Sequence, residues 1–445
     1  MKKILCTILF CSALHAGAQQ QAGAGAKAKA VRANVSGKST GAATLHRAQK
    51  ALTRVIVHDI FSPPVASRIY LYSNAAAYEA LVPSQEKYRS LRHSIPAFPV
   101  IRDSGTVDYE LAALIAFMST ASNFVFSESI LKDSLDVMLT GFRKLPEAVY
   151  ASSLRYGQRV ADSVIRWAGG DNYKQTRRFR RYVLSKEDGK WLPTPPGYMA
   201  AVEPYWGQMR TVALDSAAEC LPAPALKYGV GEEDEFFRQA KEVYDTGRQL
   251  STLQRNIALF WDCNPFFLNT QGHLNFATKK LSPGGHWISI AAIASVKKNY
   301  GLIESAAVYF LTSAALYDAF IGCWLEKYRS NVIRPETFIN ARIDETWRPL
   351  LQTPPFPEYP SGHSVISASA AVVLTSIFGE GFGFDDTTET DYGLPVRSFG
   401  SFDDAANEAG ISRFYGGIHY RAAVENGLVQ GRMIGQKILS RIRLK

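Results

Sequence analysis

One segment constrains the chain more than any other. Residues 306–325 form a run of 20 mostly apolar residues. As a helix such a run is long enough to cross a bilayer. Asp318 sits inside it, however, and Glu326-Lys327 follow at once. No other segment of the mature chain is comparable, so the expected place for this one is a buried helix at the centre of a large core.

Most of the remaining chain has the same period. Residues 66–81, 109–124, 127–142 and 149–167 show apolar residues three and four apart, the mark of helices with one buried face. Residues 364–378 read as a helix of small residues, and two further helices are expected at about 232–249 and 252–261. Residues 169–210 break the pattern with Gly169-Gly170, Pro193, Pro195-Pro196-Gly197 and Pro204, and read as a long ordered connection. Strand-like alternation is scarce. The segments 73–81 (SNAAAYEAL) and 312–320 (TSAALYDAF) resemble each other, with one acid at the same place. Shared helix composition explains such a match, and so do two similar bundles packed together.

The first 50 residues distort the composition. They carry eight of the net ten positive charges and no acid. The rest of the chain is nearly balanced, which gives no case for nucleic-acid binding. Met1-Lys2-Lys3, an apolar run and Ala16-Gly17-Ala18 have the form of a secretory signal peptide cut after Ala18. Residues 19–45, rich in Ala, Gly, Gln and Lys, read as a flexible linker. A secreted or periplasmic protein with no integral membrane segment after cleavage is expected. Cys220, Cys263 and Cys323 then remain, too few for a disulfide framework.

Three short signatures follow the long apolar segment. They are Lys327-x6-Arg334-Pro335, Pro360-Ser361-Gly362-His363, and Ser412-Arg413-x5-His419. Converged, Lys327, Arg334 and Arg413 present a point charge and planar donor forks suited to a tetrahedral oxyanion. Ser361 adds a hydroxyl. Gly362 lets backbone approach closely at a helix start, where unpaired N–H groups and the helix dipole favour an anion.

Together these signatures resemble the type 2 phosphatidic acid phosphatase superfamily, and within it the vanadium-dependent haloperoxidases. The gaps of 24 and 48 residues between them lie in the usual range. The resemblance covers roughly residues 250–440. It implies an all-α fold of haloperoxidase-like helical bundles. The phosphatase-type core would fill the C-terminal half, 251–445, and a second similar bundle the N-terminal half, 46–250. It implies vanadate as cofactor, with His419 as its ligand (phosphate can occupy the same site). His363 would be the acid–base group and Lys327 would polarise bound peroxide. Trp324 and Phe356 would line a halide pocket, and Asp262 would hold Arg413. Pro283-Gly284-Gly285-His286-Trp287 also looks like a haloperoxidase segment, with no chemical role apparent for His286.

One position departs from the pattern. The acid expected four residues after His419 is Ala423. The imidazole must then be oriented by a backbone carbonyl or another acid. Glu425 should point to a different helix face. The expected activity is halide oxidation by hydrogen peroxide. A soluble acid phosphatase acting on phosphomonoesters through a phosphohistidine stays open, as does a non-catalytic oxyanion-binding protein.

Overall fold

The computed structural model describes residues 41–445 apart from 103–104, 272–273 and 278–279. The expected signal peptide and most of the linker lie outside the described residues, as does His273. The described residues form one compact unit.

The first part of this unit holds α1 (Gly41–His58), α2 (Pro63–Leu81), α3 (Tyr109–Ser122), α4 (Glu128–Leu139), α5 (Glu147–Ala168) and the single turn α6 (Tyr173–Thr176). The irregular connection then runs to residue 234, further than its glycines and prolines suggest, and buries Trp191 and Trp206. Next come α7 (Glu235–Arg248), α8 (Thr252–Phe260) and a small antiparallel hairpin, β1 (Leu268–Gln271) with β2 (Leu274–Ala277). α9 (Pro283–Lys297), α10 (Leu302–Ser330), α11 (Pro335–Arg342) and α12 (Gly362–Phe378) follow. A second hairpin pairs β3 (Phe384–Asp386) with β4 (Arg397–Phe399), and α13 (Phe402–Tyr415) and α14 (Arg421–Arg441) complete the chain.

The long apolar segment is the 29-residue α10, with 23 of its residues buried. Among the described residues it is the one helix long and apolar enough to span a membrane, and here other helices cover it. α2, α9, α12 and α14 all pack on it. Asn331 ends α10 in the left-handed region at φ 51°, a conformation asparagine tolerates.

The two similar segments do the same job in α2 and α10. Tyr78 donates to the carbonyl of Arg89 at 2.9 Å while Glu79 accepts from the N–H of Leu91 at 3.0 Å. Tyr317 donates to the carbonyl of Arg210 at 3.1 Å while Asp318 accepts from the N–H of Val212 at 2.8 Å. Each tyrosine takes a carbonyl, and the acid after it takes the N–H two residues further on. Asn74 and Ser313, at matching places, bond to each other at 2.9 Å.

α12 and α14 lie close because Gly427, Gly431 and Gly435 form one bare ridge. A Cβ on Gly431 would stand 2.2 Å from the carbonyl oxygen of Val365, and one on Gly435 2.8 Å from that of Ser369. The start of α12 is thereby held against the start of α14, with Ser361 N–H donating to the carbonyl of Ala423 at 3.0 Å.

Candidate active site

The signature residues sit where helices begin and end. Lys327 is in the last turn of α10 and Arg334 precedes α11. Ser361 caps α12, with Gly362 and His363 in its first turn. Arg413 is in the last turn of α13, and His419 lies in the link to α14.

Arg334 is fully buried and holds its neighbours in order. Its Nε donates to the carbonyl of Phe356 at 2.9 Å, and its Nη1 to that of Ile418 at 2.8 Å. Nη1 also stands 3.2 Å from His419 Nε2. Arginine carries no acceptor, so Nε2 receives this contact with its lone pair. The other ring nitrogen, Nδ1, lies 2.8 Å from Glu358 Oε1, which also accepts the N–H of Tyr420 at 2.9 Å. Burial, reinforced by the charges of Arg334 and Lys327, holds His419 well below the ordinary histidine range. The ring is thus neutral, with its proton toward Glu358 and a lone pair on Nε2.

Glu358 is the acid that the position of Ala423 leaves missing. It comes from the loop before α12, not from α14. Ala423 is buried in the apolar cluster that also holds Phe236 and Tyr420, and Glu425 is exposed. The histidine therefore keeps its carboxylate partner, and Ala423 no longer weighs against a nucleophilic histidine. A glutamate two residues before the Pro-Ser-Gly-His signature was the only signal available in the sequence.

His363 is half-buried, with its ring hydrogen-bonded to the carbonyl of Trp261. Its Nε2 has no partner among the described residues. Burial first, then the Arg413 charge, keeps it well below the usual range, so Nε2 is a proton acceptor. Arg413 donates from Nη1 to the same Trp261 carbonyl at 2.8 Å. Asp262 lies 3.8 Å from Arg413 Nη2 and is also paired with Lys280. Arg413 Nε and Arg334 Nη2 have no partner among the described residues.

His363, Arg413 and His419 border one cavity of about 30 Å³ together with Trp324, Phe356 and Gly362. The rings of Trp324 and Phe356 stand 4.9 Å apart and make an apolar wall. A Cβ on Gly362 would reach to 3.6 Å of the Trp324 ring.

Four expected residues, Asp262, Lys327, Arg334 and Ser361, do not border this cavity. Lys327 gives its three N–H groups to the carbonyls of Pro357 (3.0 Å), Glu358 (3.0 Å) and Pro360 (2.5 Å). It must release one to touch an anion. Ser361 accepts from the N–H of Ser364 at 3.4 Å as a helix cap, which leaves its own O–H to donate.

The solved structure of the first bacterial vanadium-dependent iodoperoxidase superposes on this chain with a TM-score of 0.86 and 44% identity, covering 90% of this chain and 96% of that one. The chain belongs to the vanadium-dependent haloperoxidases. The model of the VCPO second helical-bundle domain matches residues 307–444 of this haloperoxidase. A holo-type bacterial vanadium-dependent chloroperoxidase shares the fold at 16% identity and a TM-score of 0.64, over 86% of this chain and 93% of that one. The apo-type structure of such an enzyme does so at 15% and 0.62, over 86% and 94%. No curated protein sequence matches.

The donor set fits a bound vanadate. Buried cations lacking an anion are unfavourable unless one is supplied. Burial pushes Arg334 down to about 10 and lowers Arg413, yet both stay charged at neutral pH. Their unpaired N–H groups, with the His419 lone pair once Arg334 Nη1 turns from it to the anion, are what an oxyanion with one nitrogen-bound central atom requires.

Proposed function

We propose that this haloperoxidase oxidises iodide with hydrogen peroxide, using vanadate held at His419, Arg334 and Arg413. The observation that carries the vanadate site is the set of unpaired buried atoms, Arg334 Nη2, Arg413 Nε and His363 Nε2, beside a neutral His419. The choice of iodide rests on the likeness to the iodoperoxidase. The chemistry that vanadate supplies when bound is activation of peroxide toward a halide ion. Halide, peroxide and one proton then give hypohalous acid and water.

The side chains divide the remaining work. Arg334 and Arg413 balance the anion charge, and Ser361 O–H is available as a further donor. Glu358 orients His419, and Asp262 stands beside Arg413. His363 Nε2 accepts a proton brought into the cavity and returns it. The Trp324–Phe356 wall suits a weakly hydrated halide and disfavours a charged phosphomonoester. The protein stripped and reloaded with vanadate should oxidise iodide in the presence of peroxide. Loss of that activity on vanadate removal, with little phosphomonoester hydrolysis, tests the reading.

Export belongs to the same proposal and rests on the sequence of residues 1–18 alone. N-terminal sequencing of native protein should begin near Gln19, and an intact Met1 would contradict it.

A further inference from the structure

Beside the active site lies a second cluster, which meets the active-site cavity only through Cys263 and to which the proposed reaction gives no role. Cys263 follows α8, His286 is in the first turns of α9, and Glu389 is in the loop between β3 and β4. All three are buried. Cys263 Sγ lies 3.5 Å from His286 Nδ1 and 3.8 Å from Glu389 Oε1, and His286 Nδ1 lies 3.3 Å from Glu389 Oε1. The three atoms all face one another.

Their spacing is informative. A tetrahedral zinc ion, with bonds of about 2.3 Å to sulfur and about 2.0–2.2 Å to nitrogen and oxygen, holds its ligand atoms about 3.3–3.6 Å apart. The observed separations are close to those edges. A direct imidazolium–carboxylate bond would be shorter, about 2.7–2.9 Å. His286 makes such a bond on its other side, from Nε2 to Asp386 Oδ2 at 2.7 Å. A carboxylate thus fixes one nitrogen, as for a ligating histidine, and the other is turned to Cys263 and Glu389, contacts that a metal ion between them would replace. Soft sulfur with imidazole and one carboxylate selects zinc over magnesium or calcium.

We propose that Cys263, His286 and Glu389 bind one zinc ion, with Asp386 orienting His286. Three protein ligands leave a fourth position. Glu389, the one of the three with some solvent exposure, marks the way in. The site ties together three segments that are distant in sequence. It also backs the catalytic centre, because the Trp261 ring stacks on His286 with centroids 4.5 Å apart. The carbonyl of Trp261 is the one that holds Arg413 and His363. The ion is a clamp for that residue and takes no part in halide oxidation.

The test uses the full chain, freed of metal by chelator and offered zinc chloride without vanadate. About one zinc per chain should survive dialysis, and zinc should raise Tm by about 5 °C or more. Zinc-edge X-ray absorption of the wild type should show one sulfur among nitrogen and oxygen neighbours. Cys263→Ser should weaken zinc binding at least about 100-fold, and Glu389→Gln about tenfold. Should Cys263→Ser not fold, the sulfur count in the wild type and the Glu389→Gln affinity decide. Failure of the wild type to hold zinc, a shell without sulfur, or undiminished affinity in either variant overturns the proposal.

Discussion

Glu358 Oε1 stands 2.8 Å from Nδ1 of His419 and binds the N–H of the very next residue, Tyr420, at 2.9 Å. One carboxylate oxygen thus fixes both the ring and the backbone that carries it. A histidine held in this way keeps its Nε2 lone pair aimed at the same place whether or not an anion is present.

Glu358→Gln should therefore weaken vanadate binding by about 10–100-fold without removing any group that touches the anion. Titration calorimetry with the vanadate-free protein measures this. Partial recovery in Glu358→Asp separates positioning from general damage to the fold, and wild-type affinity in Glu358→Gln would count against the role.

Lys327 should contribute to the pH dependence of anion binding, beside Glu358, whose carboxyl is pushed by burial up to about 7. Burial pushes the Lys327 ammonium down to about 7 in the free protein. A bound anion favours the charged form and raises that value again. Above about pH 7, binding then draws in a proton, and affinity falls as the pH rises. Calorimetry with phosphate in several buffers at about pH 8.5 should show more proton uptake for wild type than for Lys327→Met, by up to about one per chain. Equal uptake would mean that Lys327 keeps its carbonyl partners throughout.

The clamps on α2 and α10 should differ in strength. Asp318 accepts three backbone N–H groups, from Val212, Ala213 and Leu214, all within 3.0 Å. Glu79 accepts one, from Leu91, and the hydroxyl of Ser90. An unpaired buried donor costs about 1–3 kcal/mol. Asp318→Ala should thus destabilise by about 3 kcal/mol or more, and more than Glu79→Ala. Chemical denaturation gives both values, and the reverse order would refute this account of the clamps.

The readable parts of this chain were those carried by period and spacing. The helices from α2 to α5, the buried α10, and the arginines and histidines of the site follow from residues close together in sequence. What stayed hidden depends on contacts across long separations. Glu358 reaches a histidine 61 residues away. His286 gains meaning only beside Asp386, 100 residues on. The similarity of the two tyrosine–acid segments was visible, but not that each clamps a different loop. The spacing of Lys327 pointed to an anion contact, and no sequence signal showed that three carbonyls would take its hydrogens.

Steady-state iodide oxidation by the purified protein tests the central claim most directly. Wild type and His419→Ala are each stripped of oxyanions, then assayed with peroxide and iodide before and after addition of vanadate. The wild type should be inactive when stripped and active with vanadate, while His419→Ala stays inactive at the same vanadate concentration. Vanadate-independent oxidation by the wild type, or equal activity in His419→Ala, would contradict the account.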